Sequence, residues 1–162
     1  MLFSTNIYAY PSDYSRTVPP ITQQYSTWCW VADGLMAERY FSDSSVTQSQ
    51  FYYAASCVDG SMTCIKSHLN SYSISSTVKS GTLTFSQIES EIYTNNKLII
   101  IGWIAEGTSG HVVLAKGFKV INGVNYVVYN DSSDGQSHYR TYDYMCSNST
   151  YTWQETLHNI GI

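Results

Sequence analysis

The sequence predicts an α+β fold, with helices first and an antiparallel sheet after them. Three observations carry this. Between Trp28 and about Phe41, the apolar positions Trp28, Val31, Ala32, Leu35, Met36 and Tyr40 recur at helical spacing. Downstream lie the strand-sized apolar runs KLIIIGWIA, HVVLAKGFKV and NYVVYN. Between the last two stands Asn122-Gly123, a dipeptide suited to a tight hairpin turn. A chain of 162 residues can bury a sizeable core, so residues 1–162 are expected to form a single domain.

Residues 1–22 are expected to be an extended segment, ending in TVPPIT, whose prolines exclude helix just before the first motif. The start MLFSTNIYAYPSDYSR has no basic residues followed by an apolar block, so no signal peptide is expected in it. Ser26 and Thr27 are both good caps for the helix that follows, and Arg39 suits its C-terminal end. SDSSV breaks that helix, and TQSQFYYAAS reads as a second, short one capped by Thr47. Residues 57–83 read as loop with room for one short helix, and TVKSG reads as a turn. TFSQIESEIYTNN predicts a helix capped by Thr84 or Ser86, with Glu89 as the capping-box partner of Ser86. After the hairpin, SHYRTYDYM alternates weakly, and a short helix is expected around Trp153 to Leu157.

Composition narrows the function classes. Eight basic and twelve acidic residues give a formal net charge of -4, with no clustered basic face for a phosphate backbone, so no nucleic-acid partner is expected. No apolar run is long enough to cross a bilayer, so no membrane partner is expected. The 15 tyrosines, with frequent Ser, Thr and Asn, suit an exported protein. The four cysteines are too few for a disulfide scaffold. Cys57 and Cys64 would suit a small disulfide loop, and their spacing does not match a zinc site. No metal and no cofactor are therefore expected. If those two pair, Cys29 and Cys146 remain.

Cys29 falls in the first turn of the predicted helix. There, unsatisfied N–H groups and the helix dipole favour a thiolate, the nucleophilic form. His111, at the start of the second strand, is the candidate base. Gly110 before it permits close approach of a substrate or another segment. The Asn-Gly turn makes the second and third strands antiparallel neighbours, which brings Asp131, at the end of the third, beside His111. Asn130 and Asp131 point to opposite faces, so only one of them can meet the imidazole. The Cys29 N–H and a side-chain amide from Gln23 or Gln24 are candidate oxyanion donors. Trp28 and Trp30 are expected to pack the core and the cleft wall. His68, His138 and His158 have no matching context and are expected to be structural or surface residues.

These residues carry a resemblance. A Gln six residues before a Cys-Trp pair, a later Gly-His at a strand start and an Asn or Asp ending the next strand resemble the papain-like cysteine peptidases. CWVADG, GHVVLAKGF and YNDSSDG are more similar to a compact bacterial branch that includes the C39-like peptidases and plant-pathogen effector proteases, over roughly residues 17–135. The resemblance implies a papain-like fold with Cys29 as nucleophile, His111 as general base and acid, Asp131 as the group orienting His111, and Gln23 as oxyanion donor. It implies Trp30 and Gly110 at the substrate site, a protein or peptide substrate with an apolar residue near the cleaved bond, and a monomer secreted by a bacterium. Asp33 departs from the family, which has a small residue there. Ser26 stands where larger plant enzymes have a disulfide cysteine, so that disulfide pattern does not transfer. The same triad would also serve a deamidase or transferase toxin, and a papain-like binding module without activity is the further alternative.

Overall fold

The computed structural model describes residues 9–42, 44–105 and 110–162. The expectations for residues 1–8 lie outside the described residues. The predicted first helix is α1, Cys29–Ser42. Every residue from Trp30 to Glu38 is buried, so α1 runs through the interior rather than lying on it. Arg39 closes its end by donating to Val46 O (2.7 Å from Nη2). Helix α2, Gln48–Tyr52, begins at the expected Thr47, whose hydroxyl accepts from Gln50 N while Gln50 Oε1 accepts from Thr47 N.

The ambiguous stretch resolves into helix α3, Met62–Asn70, capped by Ser61. TVKSG is not a turn up to its last residue. Its first four residues belong to a strand, and only Gly81, with φ 80, turns the chain. Helix α4, Phe85–Glu89, is capped by Thr84 with Gln87 as the box partner, instead of the Ser86–Glu89 pair. Thr84 already has extended backbone (φ -69, ψ 158), which fixes the start two residues earlier than Ser86. A π-helical turn, Ser90–Thr94, follows α4, and Arg16 braces it through Ile92 O (2.7 and 2.9 Å) and Tyr93 O (3.1 Å).

The strands are β1 Asp13–Ser15, β2 Ser75–Ser80, β3 Leu98–Ile104, β4 His111–Ile121, β5 Val124–Asp131, β6 Gln136–Thr141 and β7 Thr152–Gly161. They form one antiparallel sheet in the order β2-β7-β3-β4-β5-β6, with β1 paired to β4. Helix α5, Tyr142–Cys146, follows β6. Asn122 and Gly123 both have positive φ (50 and 75), as a tight primed hairpin turn requires.

The expected helix at Trp153–Leu157 is instead strand β7, inside the sheet. Besides the terminal Gly161, its buried residues Trp153, Thr156, Leu157 and Ile160 are spaced like a helix face because register irregularities interrupt the two-residue alternation. One core, including Val31, Leu35, Phe51, Ile65, Ile100 and Leu114, fills the α1–α3 side of the sheet. A second, including Ile88, Ile99, Ile101, Trp103, Val127 and Trp153, fills the other. Strand β3 feeds both, which is why KLIIIGWIA reads as an unbroken apolar run. Among the described residues, no helix is long and apolar enough to cross a membrane.

Candidate active site

Cys29 is the first residue of α1, and the turn before it is tightly tied. Trp28 N donates to Tyr25 O at 2.9 Å. Gln23 Nε2 donates to Tyr25 O and Ser26 O, each at 2.9 Å, and Gln23 Oε1 accepts from Ser132 Oγ at 3.1 Å. In this arrangement both N–H groups of the Gln23 amide are therefore committed to backbone carbonyls. Gln24, its competitor, uses its backbone N–H on Gln48 Oε1 at 3.0 Å. The flanking rings anchor the helix start. Trp28 stacks on Tyr52 with centroids 4.8 Å apart, and Trp30 meets His68 edge-on at 5.0 Å.

His111 Nε2 lies 2.8 Å from Asp131 Oδ1, and the imidazole is also hydrogen-bonded to Cys29. With Nε2 on the carboxylate, Nδ1 is the nitrogen left for the thiol. The choice between Asn130 and Asp131 is made by a bulge. Between Ala115 and Gly117 the β4–β5 register slips by one residue, with Lys116 as the extra one. Counted back from the Asn-Gly turn without that slip, Asn130 would share the His111 face. With it, Leu114 pairs with Asn130, and Asp131 comes round to the imidazole. Asn130 turns inward, donating to Val18 O (2.9 Å) and accepting from Ser137 Oγ (2.6 Å).

Charge at the site is set by burial against hydrogen bonding. Burial pushes the Cys29 thiol up, but the His111 hydrogen bond and the backbone N–H groups of Val112 and Trp30 outweigh it, leaving the thiol below its ordinary value. Burial would lower His111, but hydrogen bonds to Asp131 and Cys29 push it up to about 10. Asp131, raised by burial, is held down at about 2 by hydrogen bonds from His111 and Ser133. The three together favour a thiolate facing an imidazolium. Asp33, one helical turn after Cys29, is fully buried, and neither carboxyl oxygen has a hydrogen-bond partner among the described residues. Burial, then the nearby Cys29, raises it well above the carboxylate range, so it does not oppose the thiolate as an anion.

The thiol opens into a cleft of about 590 Å³ whose lining includes Trp30, Gly60, Gly102, Gly110, His111 and Tyr151. A Cβ on Gly110 would fall 2.8 Å from Trp103 O, so this glycine first serves close approach within its own chain. Trp103 and Tyr151 stack at 5.6 Å, with centroids 6.5 and 6.2 Å from the His111 ring. Sequence reasoning missed Gly60, Gly102, Ser133 and Tyr151 at the site. Gly102, isolated in a strand pattern, carried the one legible signal.

Among the described residues, Cys57, Cys64 and His68 could bring metal-ligating atoms together. The two thiols are joined as a disulfide, however, and both His68 ring nitrogens face carbonyls, Phe51 O at 2.7 Å and Cys57 O at 2.8 Å. Cys29 and Cys146 are free. The arrangement at Cys29 can perform nucleophilic attack on an acyl carbon with proton transfer through His111. The sequence model of the Peptidase_C39 like family matches residues 15–159. No curated protein matches the chain.

Proposed function

The chain belongs to the Peptidase_C39 like family, which suggests cysteine peptidase activity, and from this premise we propose that it cleaves peptide bonds through Cys29, His111 and Asp131. The observation that carries the proposal is a thiol at a helix start, hydrogen-bonded to a histidine that is itself bonded to a carboxylate.

In the proposed reaction, Cys29 Sγ attacks the scissile carbonyl carbon as thiolate. The oxyanion that forms accepts from the Cys29 N–H, one of the first-turn donors a helix leaves without an internal partner. Gln23 supplies the second donor when one of its amide N–H groups leaves its carbonyl for the substrate oxygen. Collapse breaks the C–N bond, and His111 Nδ1 passes its proton to the departing amine. Water then adds to the thioester, giving one proton to His111 and releasing the acid, which restores the thiolate–imidazolium pair. Asp131 holds the ring orientation throughout. Trp103 and Tyr151 cover one side of the imidazole and limit water there. An exported setting for this enzyme is supported by the uncharged polar composition and by the Cys57–Cys64 disulfide.

The test is irreversible labelling with the epoxide inhibitor of papain-like enzymes, located by mass spectrometry, beside peptide cleavage assays. Labelling at Cys29 that is lost in Cys29→Ala and strongly slowed in His111→Ala is expected, with peptide fragments as products. Release of ammonia from glutamine with no fragments would replace the peptidase proposal by a deamidase. Labelling of Cys146 alone would remove the assignment altogether.

A further inference from the structure

One row of cross-strand partners leads away from the thiol. Val112, whose backbone N–H contacts Cys29 Sγ, pairs with Gly102 of β3, and Gly102 pairs on its other side with Glu155 of β7. Cross-strand partners project to one face, and neighbouring strands lie about 4.8 Å apart, so Glu155 stands about 10 Å along the row from Val112. Gly102, which lines the cleft, puts no side chain of its own into the middle of the row, and Met62 and Glu155 pack closely over it. A Cβ there would fall 2.8 Å from Met62 Cε and 3.3 Å from Glu155 Cβ. Asp59, also in the cleft lining, sits in the turn before α3, its carboxylate accepting from Ser61 N at 2.9 Å. That hydrogen bond holds the Asp59 carboxyl below its ordinary range.

Asp59 and Glu155 are both exposed, and both line the cleft. Among the described residues neither is paired with a lysine or arginine, and no lysine or arginine lines the cleft. The thiolate–imidazolium pair adds no net charge, so the field in the cleft is that of uncompensated carboxylates.

We propose that this cleft selects substrates with a lysine or arginine side chain beside the bond attacked, and that Glu155 and Asp59 determine the selection. This rests on the thiol-hydrolase function proposed above. A long cationic side chain matches the row in both of its parts. Its methylene stem lies along the cleft wall at Gly102, and its head reaches the carboxylates while staying hydrated. An acidic side chain in the same place meets like charge, and a purely apolar one leaves both carboxylates without a partner. The selection therefore differs from the apolar preference implied by the family resemblance.

The test uses peptidyl chloromethyl ketones that differ in one residue, lysine, norleucine or glutamate, at each of the three positions before the reactive group. The rate of Cys29 modification is followed by mass spectrometry in the whole chain, so the result does not depend on turnover. Exposed ion pairs contribute a factor of about two to five each. At one position, lysine should therefore outpace norleucine by about tenfold, with glutamate slowest. Raising salt from 50 mM to 1 M should shrink that ratio. Glu155→Gln combined with Asp59→Asn should bring it close to one, measured against the norleucine rate in the same protein. Norleucine labelling as fast as lysine at all three positions overturns the specificity and leaves the hydrolase proposal standing. A lysine preference that the double variant keeps overturns the assignment to these carboxylates. Failure of every probe to modify Cys29 overturns the hydrolase proposal and this one with it.

Discussion

Asp33 shows how one residue can sit badly for stability beside a candidate active site. Its carboxyl is buried, has no partner among the described residues, and is raised well above the carboxylate range, first by burial and then by Cys29. The sign follows from linkage. Below about pH 4 both folded and unfolded carboxyls are protonated and the cost is absent. Above that, the unfolded carboxyl ionises while the folded one stays protonated, so stability falls as pH rises. Asp33→Asn is expected to stabilise the fold at pH 7 by on the order of 1 kcal/mol, with the gain vanishing near pH 4. Denaturant titrations at the two pH values check this, and an equal gain at both would sink it. Cys29 gives the complementary expectation. Its lowered pKa keeps it ionised below the ordinary thiol range, and His111 stays protonated up to about 10, so the ion pair persists between those limits. Cys146 is pushed up by burial and lacks such a partner. At pH 6, iodoacetamide should modify Cys29 roughly 100-fold faster than Cys146, and His111→Ala should remove most of the difference. Identical pH profiles for the two thiols would refute the ion pair. Cys29 and His111 were legible because helix start and strand start follow from local pattern. The commitment of Gln23 was not, because Tyr25 O and Ser26 O become its acceptors only once that turn has closed.

At the scale of elements, the disulfide and the bulge shape the cleft. Cys57 and Cys64 close a loop with a sequence separation of 7, and that loop carries Asp59 and Gly60 to the cleft wall. Replacing both cysteines by serine should cost about 2–3 kcal/mol by the loop-entropy relation. Thermal unfolding with and without reductant checks this, and an unchanged midpoint would show that the loop is held by its other contacts. The bulge rests on Gly117, where a Cβ would run into Ser15 and lie 2.5 Å from Tyr14 O in β1. Gly117→Ala should destabilise the fold by about 1–3 kcal/mol and slow Cys29 labelling, since a shifted register takes Asp131 away from His111. Loss of stability with labelling unchanged would separate the bulge from the site. Helices α1, α2 and α4 and strands β3 to β5 were readable from periodicity and caps. Strands β2 and β7 were not, because exposed positions in one and irregular register in the other hide the alternation.

For the molecule as a whole, the chain end is structurally central. Strand β7 lies between β2 and β3 and contributes to both cores through Trp153, Leu157 and Ile160. A chain ending at residue 151 should therefore fail to fold cooperatively, by circular dichroism and thermal melting, rather than lose a peripheral arm. A cooperative melt of the shortened chain would show that β3 to β6 and the helices are self-sufficient. The same topology sets the site. Helix α1 delivers Cys29 from one side of the sheet, β4 and β5 deliver His111 and Asp131 from its middle, and β7 adds Glu155 at the cleft rim.

The sequence by itself determined the α+β class, the helix that begins at Cys29, the hairpin at Asn122-Gly123 and the nearness of His111 to the end of β5. Each follows from interactions between residues close in the chain: helical periodicity, capping, and the φ preferences of Asn and Gly. Only the tertiary structure decided that Asp131 rather than Asn130 meets His111, that Gln23 is tied into the turn, that Asp33 is buried without a partner among the described residues, and that Glu155 stands in line with the thiol. Those outcomes depend on a one-residue slip at Lys116, on a strand inserted from the far end of the chain, and on which groups packing removes from water. No local pattern encodes them, because strand register is set by pairing across the sheet.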